Sequence, residues 1–370
     1  MQKNTAAALA AAGLLCASCA YADITIYGLM DTGLSLSRSG GDAAKAAPSK
    51  WSFKEKSGQR NGSRIGLKGS ESLGNGWKAG FVLEDQFNGT DGKLVGNFWG
   101  RESSLYLEGD IGRFTFGMTG QLKSPVGTTA LAGTIMYPFG TLMSNFIGGL
   151  KYVTSGNYLT VNNAVTYRSP DFNGWSLHAQ YSFAMAGDPG VHSNDEDRYM
   201  AAAARYRKGA MTALFLVDHI LLSRANEART NSSDPWTFTA ALNYDFGALK
   251  PYIYAQYFRN GALNAVGSDY KTHNISASGR YNGFGVLAAV QWPAFGGKAK
   301  VGGGYTRADG NDATRDDILR YSAHAGYDYS LTRRTDLYAD LGWVRQDTKS
   351  PGHREYQYGT ELSAGIVHRF

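Results

Sequence analysis

Basic side chains on alternating positions are the residues of this sequence best placed to act on ions or small molecules. In the segment Arg64-Ile65-Gly66-Leu67-Lys68, alternation along an extended chain puts Arg64 and Lys68 on one face and the two aliphatic residues on the other. If the basic face lines a narrow aqueous passage, its charges decide which ions enter easily, because Coulomb energies are larger there than in bulk water. Further charges predicted for the same side are Lys78, Glu84 and Arg168.

Signals for catalysis or metal binding are weaker. His178 and His324 have no His or Cys neighbour at ligand spacing, so we predict no metal and no cofactor. A serine hydrolase would need Ser, His and a polar orienter together near one rim, and no segment singles these out, so we predict that the protein is not an enzyme. The acidic run at residues 195–197 lacks calcium-loop spacing, so we interpret it as charge exposed to solvent in a loop. The alternative is a site for divalent cations that bridge lipopolysaccharide.

The elements that must position the basic residues are two-faced strands. Over residues 355–370 the even positions are mostly aromatic or aliphatic and the odd positions are mostly polar. Because successive side chains of a strand leave opposite faces, the segment has one apolar face and one polar face. The same alternation recurs over residues 174–183, 235–246 and 318–329. Repeated strands of this kind, with aromatic residues at the ends of the apolar face, predict a β-barrel of the outer membrane.

The N-terminus has the pattern of a secretory signal. A positive charge at Lys3 and an apolar run precede the small-x-small site Ala20-Tyr21-Ala22, which predicts cleavage between Ala22 and Asp23. Residues 1–22 would then be a signal peptide, and residues 23–370 would form one barrel domain. Both cysteines fall in the removed part, which excludes a disulfide framework in the mature chain; a lipoprotein anchored at Cys19 is the alternative. The net charge of +6 is small and spread along the chain, so we predict no nucleic-acid partner.

The alternating segments predict an all-β fold, a transmembrane antiparallel up-and-down barrel of 16 strands. An even number is expected because both chain ends lie on the periplasmic side, and closure is required because no strand edge can stay unpaired in hydrocarbon. The second strand is predicted at residues 60–71, after a long polar connector at 37–59. An additional strand at 271–281 would raise the number to 18.

With this architecture, the mature chain resembles the general porins of Gram-negative outer membranes along essentially its whole length. The resemblance implies a trimer of water-filled barrels in which a long third loop folds inward against a ladder of basic wall residues. It also implies that the barrel-assembly machinery recognises the C-terminal Phe370. The matching stretches are residues 24–28, 63–69, 73–76, 165–170 and 368–370.

The third loop, which we call the constriction loop, runs from about residue 121 to 159. A loop of this length without a strand pattern is rare unless it is functional or disordered. It contains Lys123 and Lys151 but no Asp or Glu. Its segment Tyr137-Pro138-Phe139-Gly140 resembles the loop tip of the family, where carboxylates are common. On the facing wall, Arg101 falls at a basic position of the family, whereas Thr160 and Leu29 stand where the family has basic residues.

The sequence therefore predicts an outer-membrane porin, a channel for passive diffusion of small hydrophilic solutes and ions with a weak anion preference. The competing outcome is that Arg64 and Arg101 pair with carboxylates such as Glu84, which would cancel their charge. A second interpretation is a solute-selective channel for anionic or aromatic nutrients, unless the loop aromatics simply pack on the wall. A third is a plugged barrel that serves as an enzyme or adhesin.

Overall fold

The computed structural model describes most of the chain from Asp23, the first residue of its first strand, to Phe370. The predicted signal peptide, including Ala22, and most of the possible extra strand at 271–281 lie outside the described residues. The constriction loop is described in several pieces. The described residues are 23–42, 51–133, 136–140, 146–147, 149–156, 160–185, 187, 195–226, 233–264, 266, 280–311 and 316–370.

The described strands pair side by side, each antiparallel to its neighbours, and the sheet closes where β1 pairs with β17. No helix among the described residues is long and apolar enough to span a membrane. The strands are β1 (Asp23–Gly41), β2 (Trp51–Ser57), β3 (Arg64–Gly74), β4 (Trp77–Gln86), β5 (Glu102–Gly109), β6 (Gly112–Gly120), β7 (Thr160–Arg168), β8 (Trp175–Ser182), β9 (Arg198–Lys208), β10 (Met211–Leu221), β11 (Trp236–Tyr244), β12 (Lys250–Gly261), β13 (Tyr281–Ala294), β14 (Gly297–Gly310), β15 (Asp317–Ser330), β16 (Thr335–Ser350) and β17 (His353–Arg369), with one short helix, α1 (Leu150–Val153).

Two of these strands share one position in the barrel. The first half of β1 pairs with β3 and its second half pairs with β2, so β2 and β3 together form the second of 16 barrel strands. The predicted number of 16 is confirmed. The predicted second strand at 60–71 is wrong at its start, because the chain leaves the wall between Ser57 and Arg64. The departure begins at Gly58, whose φ of 69° is a conformation that other residues rarely adopt.

The alternation along each strand separates a lipid face from a lumen face, as predicted. In β11, every second residue from Trp236 to Tyr244 is exposed on the outer surface, and the residues between them are buried. Aromatic and aliphatic side chains such as Phe215 and Ile253 are exposed outside, where a bilayer would cover them. The chain ends lie at the end of the barrel that carries the short turns, such as Gly109–Gly112 and Ala294–Gly297. This is the periplasmic end of outer-membrane barrels.

The apolar core of the molecule lies inside the barrel. Leu122, Met136 and Leu150 of the constriction loop are buried in one cluster with wall residues such as Leu214 and Leu287. The loop therefore stays in the lumen because it removes apolar surface from water against one side of the wall, mainly β9 to β13.

Candidate pore constriction

The constriction loop follows the inner wall and is bound to it by polar contacts at successive strands. The backbone N–H of Leu122 donates to Gln180 Oε1 on β8 at 3.2 Å. Lys123 Nζ lies 2.6 Å from Asp218 Oδ1 on β10, and both side chains are buried. The returning part of the loop binds β12, where the N–H of Ser155 donates to a glutamine side chain at 2.7 Å. Because each contact joins the loop to a different strand, the loop has one defined path along the wall.

Glycines on the lumen face make room for this path. A Cβ at Gly359 would lie 1.9 Å from the ring of Phe146, and a Cβ at Gly342 would lie 2.3 Å from the carbonyl oxygen of the same residue. On β13, a Cβ at Gly285 would lie 2.0 Å from the carbonyl oxygen of Val153. Such distances are far below van der Waals contact, so any side chain at these wall glycines would displace the loop.

The tip of the constriction loop is held by a buried charge cluster on β14, β15 and β16. Lys300 Nζ lies 2.8 Å from Asp328 and 2.9 Å from Asp340, and it donates to the Pro138 carbonyl at 3.4 Å. The same ammonium lies 4.9 Å from the ring centroid of Phe139. One lysine therefore joins two wall carboxylates to the loop tip, and its charge is compensated inside the cluster.

The loop aromatics face the wall rather than the passage. Tyr137, Phe139 and Phe146 are all buried, and the Tyr137 hydroxyl lies 2.6 Å from His324 Nδ1. Burial raises the pKa of the Tyr137 hydroxyl well above its ordinary value, so the group stays protonated. These side chains therefore contribute to packing and offer little surface to an aromatic solute.

The wall opposite the loop carries the predicted arginines around one carboxylate. Glu84 lies 2.6 Å from Arg101 Nε and 3.5 Å from Arg64 Nε, and the Tyr27 hydroxyl donates to it at 3.0 Å. Arg101 also donates to Gln86 at 2.6 Å. The pairing that the sequence left open therefore forms, with two guanidinium groups around Glu84. A second carboxylate of this face, Glu102, lies beside Glu84 in the register of β4 and β5.

The other predicted wall residues are spread along the axis. Lys68 is exposed, with its ammonium 5.3 Å from the ring centroid of Tyr27. Thr160 is buried at the start of β7, where it pairs with Gly120 beside the first residues of the loop. Glu102, which sequence reasoning did not single out, accepts the backbone N–H of Thr128 and its hydroxyl, both at 2.6 Å.

Below the constriction, six basic residues occupy the periplasmic half of the lumen face between β3 and β9. We call this group the basic arc. Glu108 is the one carboxylate on the same part of these described strands, and it contacts three arc members, Arg168 at 3.0 Å, Lys78 at 3.6 Å and Arg113 at 3.7 Å. The arc consists of Lys68, Lys78, Arg113, Arg168, Arg205 and Arg207.

Two members of the basic arc, both on β9, lie outside ion-pair distance of the described carboxylates, although the charge of Asp171 acts on Arg205. Neither Arg205 nor Arg207 forms an ion pair with another residue of the described chain, and Arg205 Nε is buried without a hydrogen-bond acceptor. Sequence reasoning missed both residues. In Arg205-Tyr206-Arg207 the two arginines are two positions apart, so they lie on the same face of the strand, as Arg64 and Lys68 do. The alternation along β9 carries the signal, because odd-numbered residues from Tyr199 onward face the lumen.

Other functional residues gave no sequence signal. Lys300, Asp328 and Asp340 come from three strands and meet only because the barrel register brings them together. Within the described ranges, no group of three or more His, Cys, Asp or Glu side chains could hold a metal ion.

Comparisons with known proteins agree with this geometry. A family model described as Gram-negative porin matches residues 5–349. An outer membrane porin protein of Bordetella pertussis is 27% identical, with 100% of each chain covered. Outer membrane porin protein 32 of Delftia acidovorans is 26% identical over 98% of each chain. Among solved structures, the anion-selective porin from Comamonas acidovorans has the same fold, with a TM-score of 0.65, 21% identity and coverage of 94% of this chain and 100% of that chain.

Proposed function

The chain belongs to the family of Gram-negative porins, and from this premise we propose that it passes anions in preference to cations. The protein is an outer-membrane channel through which small hydrophilic solutes diffuse passively, and its family and fold are those of channels rather than enzymes. The selectivity of the channel depends on the charges of its lumen.

The basic arc is the observation that carries the proposal. Six cationic side chains and one carboxylate line the same part of the wall, and Arg205 and Arg207 have no ion-pair partner among the described residues. Uncompensated charge on the wall of a water-filled passage raises the local concentration of the opposite ion and lowers the barrier to its entry.

The reversal potential in asymmetric KCl across a planar bilayer tests the proposal. We expect the unmodified channel to prefer chloride, and the double variant Arg205→Gln, Arg207→Gln to lower the chloride-to-potassium permeability ratio by about twofold. Arg345→Gln is the matched control, because Arg345 lies on the outer face of β16 and pairs with Asp347 there. A cation-preferring unmodified channel would contradict the proposal.

The same measurement separates the contribution of the constriction from that of the arc. Arg64→Ala and Arg101→Ala should each lower the chloride preference, because Glu84 then faces one guanidinium group. Glu84→Gln should raise it, because both arginines lose their compensating charge. If all three variants keep the unmodified ratio, the constriction has no part in selectivity.

A solute-selective channel for anionic nutrients remains the second candidate, and the basic arc favours it over an aromatic-specific one. Such a channel would show saturable block of its conductance by the solute, which a nonspecific pore lacks. A plugged barrel would give no large ohmic current steps in the same recordings.

The finer assignments are also proposals. We propose that residues 1–22 are removed as a signal peptide, that three copies assemble into a trimer surrounded by lipid and lipopolysaccharide, and that the barrel-assembly machinery recognises Phe370. The backbone N–H of Phe370 donates to the Gly28 carbonyl at 3.1 Å, so this residue is part of the seam that closes the barrel. N-terminal sequencing and native mass measurement of the purified protein test the first two assignments.

A further inference from the structure

The interruption of the second barrel strand produces a short segment that lies in the lumen. This inward segment, residues 58–63, is fixed by the side chain of Asp31 on β1. Asp31 Oδ2 accepts the backbone N–H of Arg60 at 2.9 Å and of Asn61 at 2.6 Å, and its other oxygen accepts the Tyr338 hydroxyl at 2.8 Å. Asp31 has no exposed surface. A buried carboxylate with three such donors holds the segment in one conformation.

Arg60 extends the inward segment to the far side of the seam. Its Nη2 donates to Asp328 Oδ2 at 2.7 Å, although Asp328 lies on β15 and the strand order along the wall is β1, β17, β16, β15. The guanidinium carbon also lies 5.9 Å from the ring centroid of Tyr338 on β16. The segment and its arginine therefore cover the lumen face of three wall strands.

At β15 the inward segment meets the tip of the constriction loop. Asp328, which binds Arg60, also binds Lys300, whose ammonium donates to the Pro138 carbonyl. The backbone is in contact as well, because a Cβ at Gly140 would lie 2.5 Å from the carbonyl oxygen of Arg60. The φ of Gly140 is 87°, so the tip takes a conformation that suits glycine at the point of contact.

We propose that the inward segment is a second constriction element and that Arg60 is a positioning residue for the loop tip, so that Arg60 sets the size limit for solutes. The constriction loop contacts the wall from β8 around to β17 and also binds Glu102 on β5. The inward segment contacts β1, β16 and β15. The two inserted segments therefore brace each other at β15. A planar guanidinium is suited to this role because it binds a carboxylate directionally and remains charged in a poorly solvated site.

The test compares Arg60→Ala with the unmodified full-length protein, refolded and inserted in bilayers. Without the arginine side chain, Gly140 of the loop tip loses its packing partner and Asp328 loses its guanidinium donor, so the passage widens. We expect single-channel conductance in 1 M KCl to rise by roughly 1.5-fold, and the permeation of neutral tetrasaccharides relative to monosaccharides in liposome swelling to rise by about twofold. Both readouts are insensitive to lost charge, since the Debye length at 1 M salt is about 3 Å and the sugars are uncharged.

Three further variants separate positioning from charge and from folding. Arg345→Ala removes an arginine from the outer face of β16, and it should leave sugar permeation unchanged. Arg60→Lys keeps the charge and should restore part of the size limit. Asp328→Asn removes the acceptor instead of the donor and should reproduce the wider pore if Arg60→Ala does not fold. An unmodified sugar cutoff in folded Arg60→Ala and Asp328→Asn channels would overturn the proposal, whatever their ion selectivity.

Discussion

Lys123 is a charged residue of the constriction loop that is buried away from water. Its ammonium binds Asp218 at 2.6 Å, also lies near the Ser155 carbonyl, and the side chains of Lys123 and Asp218 are 1% and 2% exposed. A buried pair of this kind contributes little net stability relative to an apolar pair, but the loss of one partner leaves an uncompensated buried charge.

We therefore expect Lys123→Met to lower the free energy of unfolding by about 3–5 kcal/mol. The denaturant midpoint of the detergent-refolded protein measures this effect. The control is Arg345→Ala, which breaks a pair whose side chains are 43% and 39% exposed and should cost at most about 1 kcal/mol. Equal midpoints for Lys123→Met and the unmodified protein would show that the loop is not fixed through this ion pair.

At the scale of elements, the glycine pattern of β13, β16 and β17 determines where the constriction loop lies. Gly285, Gly342 and Gly359 all face the lumen, and each is in contact with a residue of the loop. In sequence these glycines resemble the many others of the chain. Only the position of the loop distinguishes them from glycines that serve turns.

Gly359→Val should displace Phe146 from the wall, because the new side chain would occupy the space of its ring. We expect the displaced loop to narrow the passage and to lower the single-channel conductance by roughly twofold. Ala364→Val on the same strand is the control, because Ala364 is exposed on the lipid face. If both variants conduct like the unmodified protein, the wall glycines do not determine the loop position.

The interrupted second strand shows where prediction at the element scale ends. The alternation of residues 64–68 was visible, and β3 contains it. The short strand Trp51–Ser57 and the inward segment were not predicted, because their conformation depends on hydrogen bonds to Asp31, which lies about thirty positions earlier in the chain.

At the scale of the whole molecule, charge is distributed unevenly along the barrel axis. The basic arc lies toward the periplasmic end, whereas Arg60, Lys300, Asp328 and Asp340 near the constriction compensate one another. Ions that enter from the extracellular end and from the periplasmic end therefore meet different electrostatic potentials.

This asymmetry predicts rectification. At 0.01 M KCl, where the Debye length is about 30 Å, the magnitude of the current should differ between voltages of equal size and opposite sign. At 1 M KCl, where screening limits the field to about 3 Å, the difference should disappear. The double variant Arg205→Gln, Arg207→Gln should rectify less at low salt, and Arg345→Gln should behave as the unmodified channel. Symmetric currents at both salt concentrations would mean that the arc does not act on the permeating ion.

Alternation alone was sufficient to predict the membrane barrel, its 16 strands and the lumen facing of Arg64 and Arg168, because the face that a strand residue occupies depends on its own position in the strand. Which charges meet across the lumen is decided by closure. Arg60 and Asp328 are 268 positions apart, and they come within 2.7 Å only after the sheet closes on itself. No spacing in the sequence encodes that distance, since it arises from strand register, barrel curvature and the two segments that fold inward.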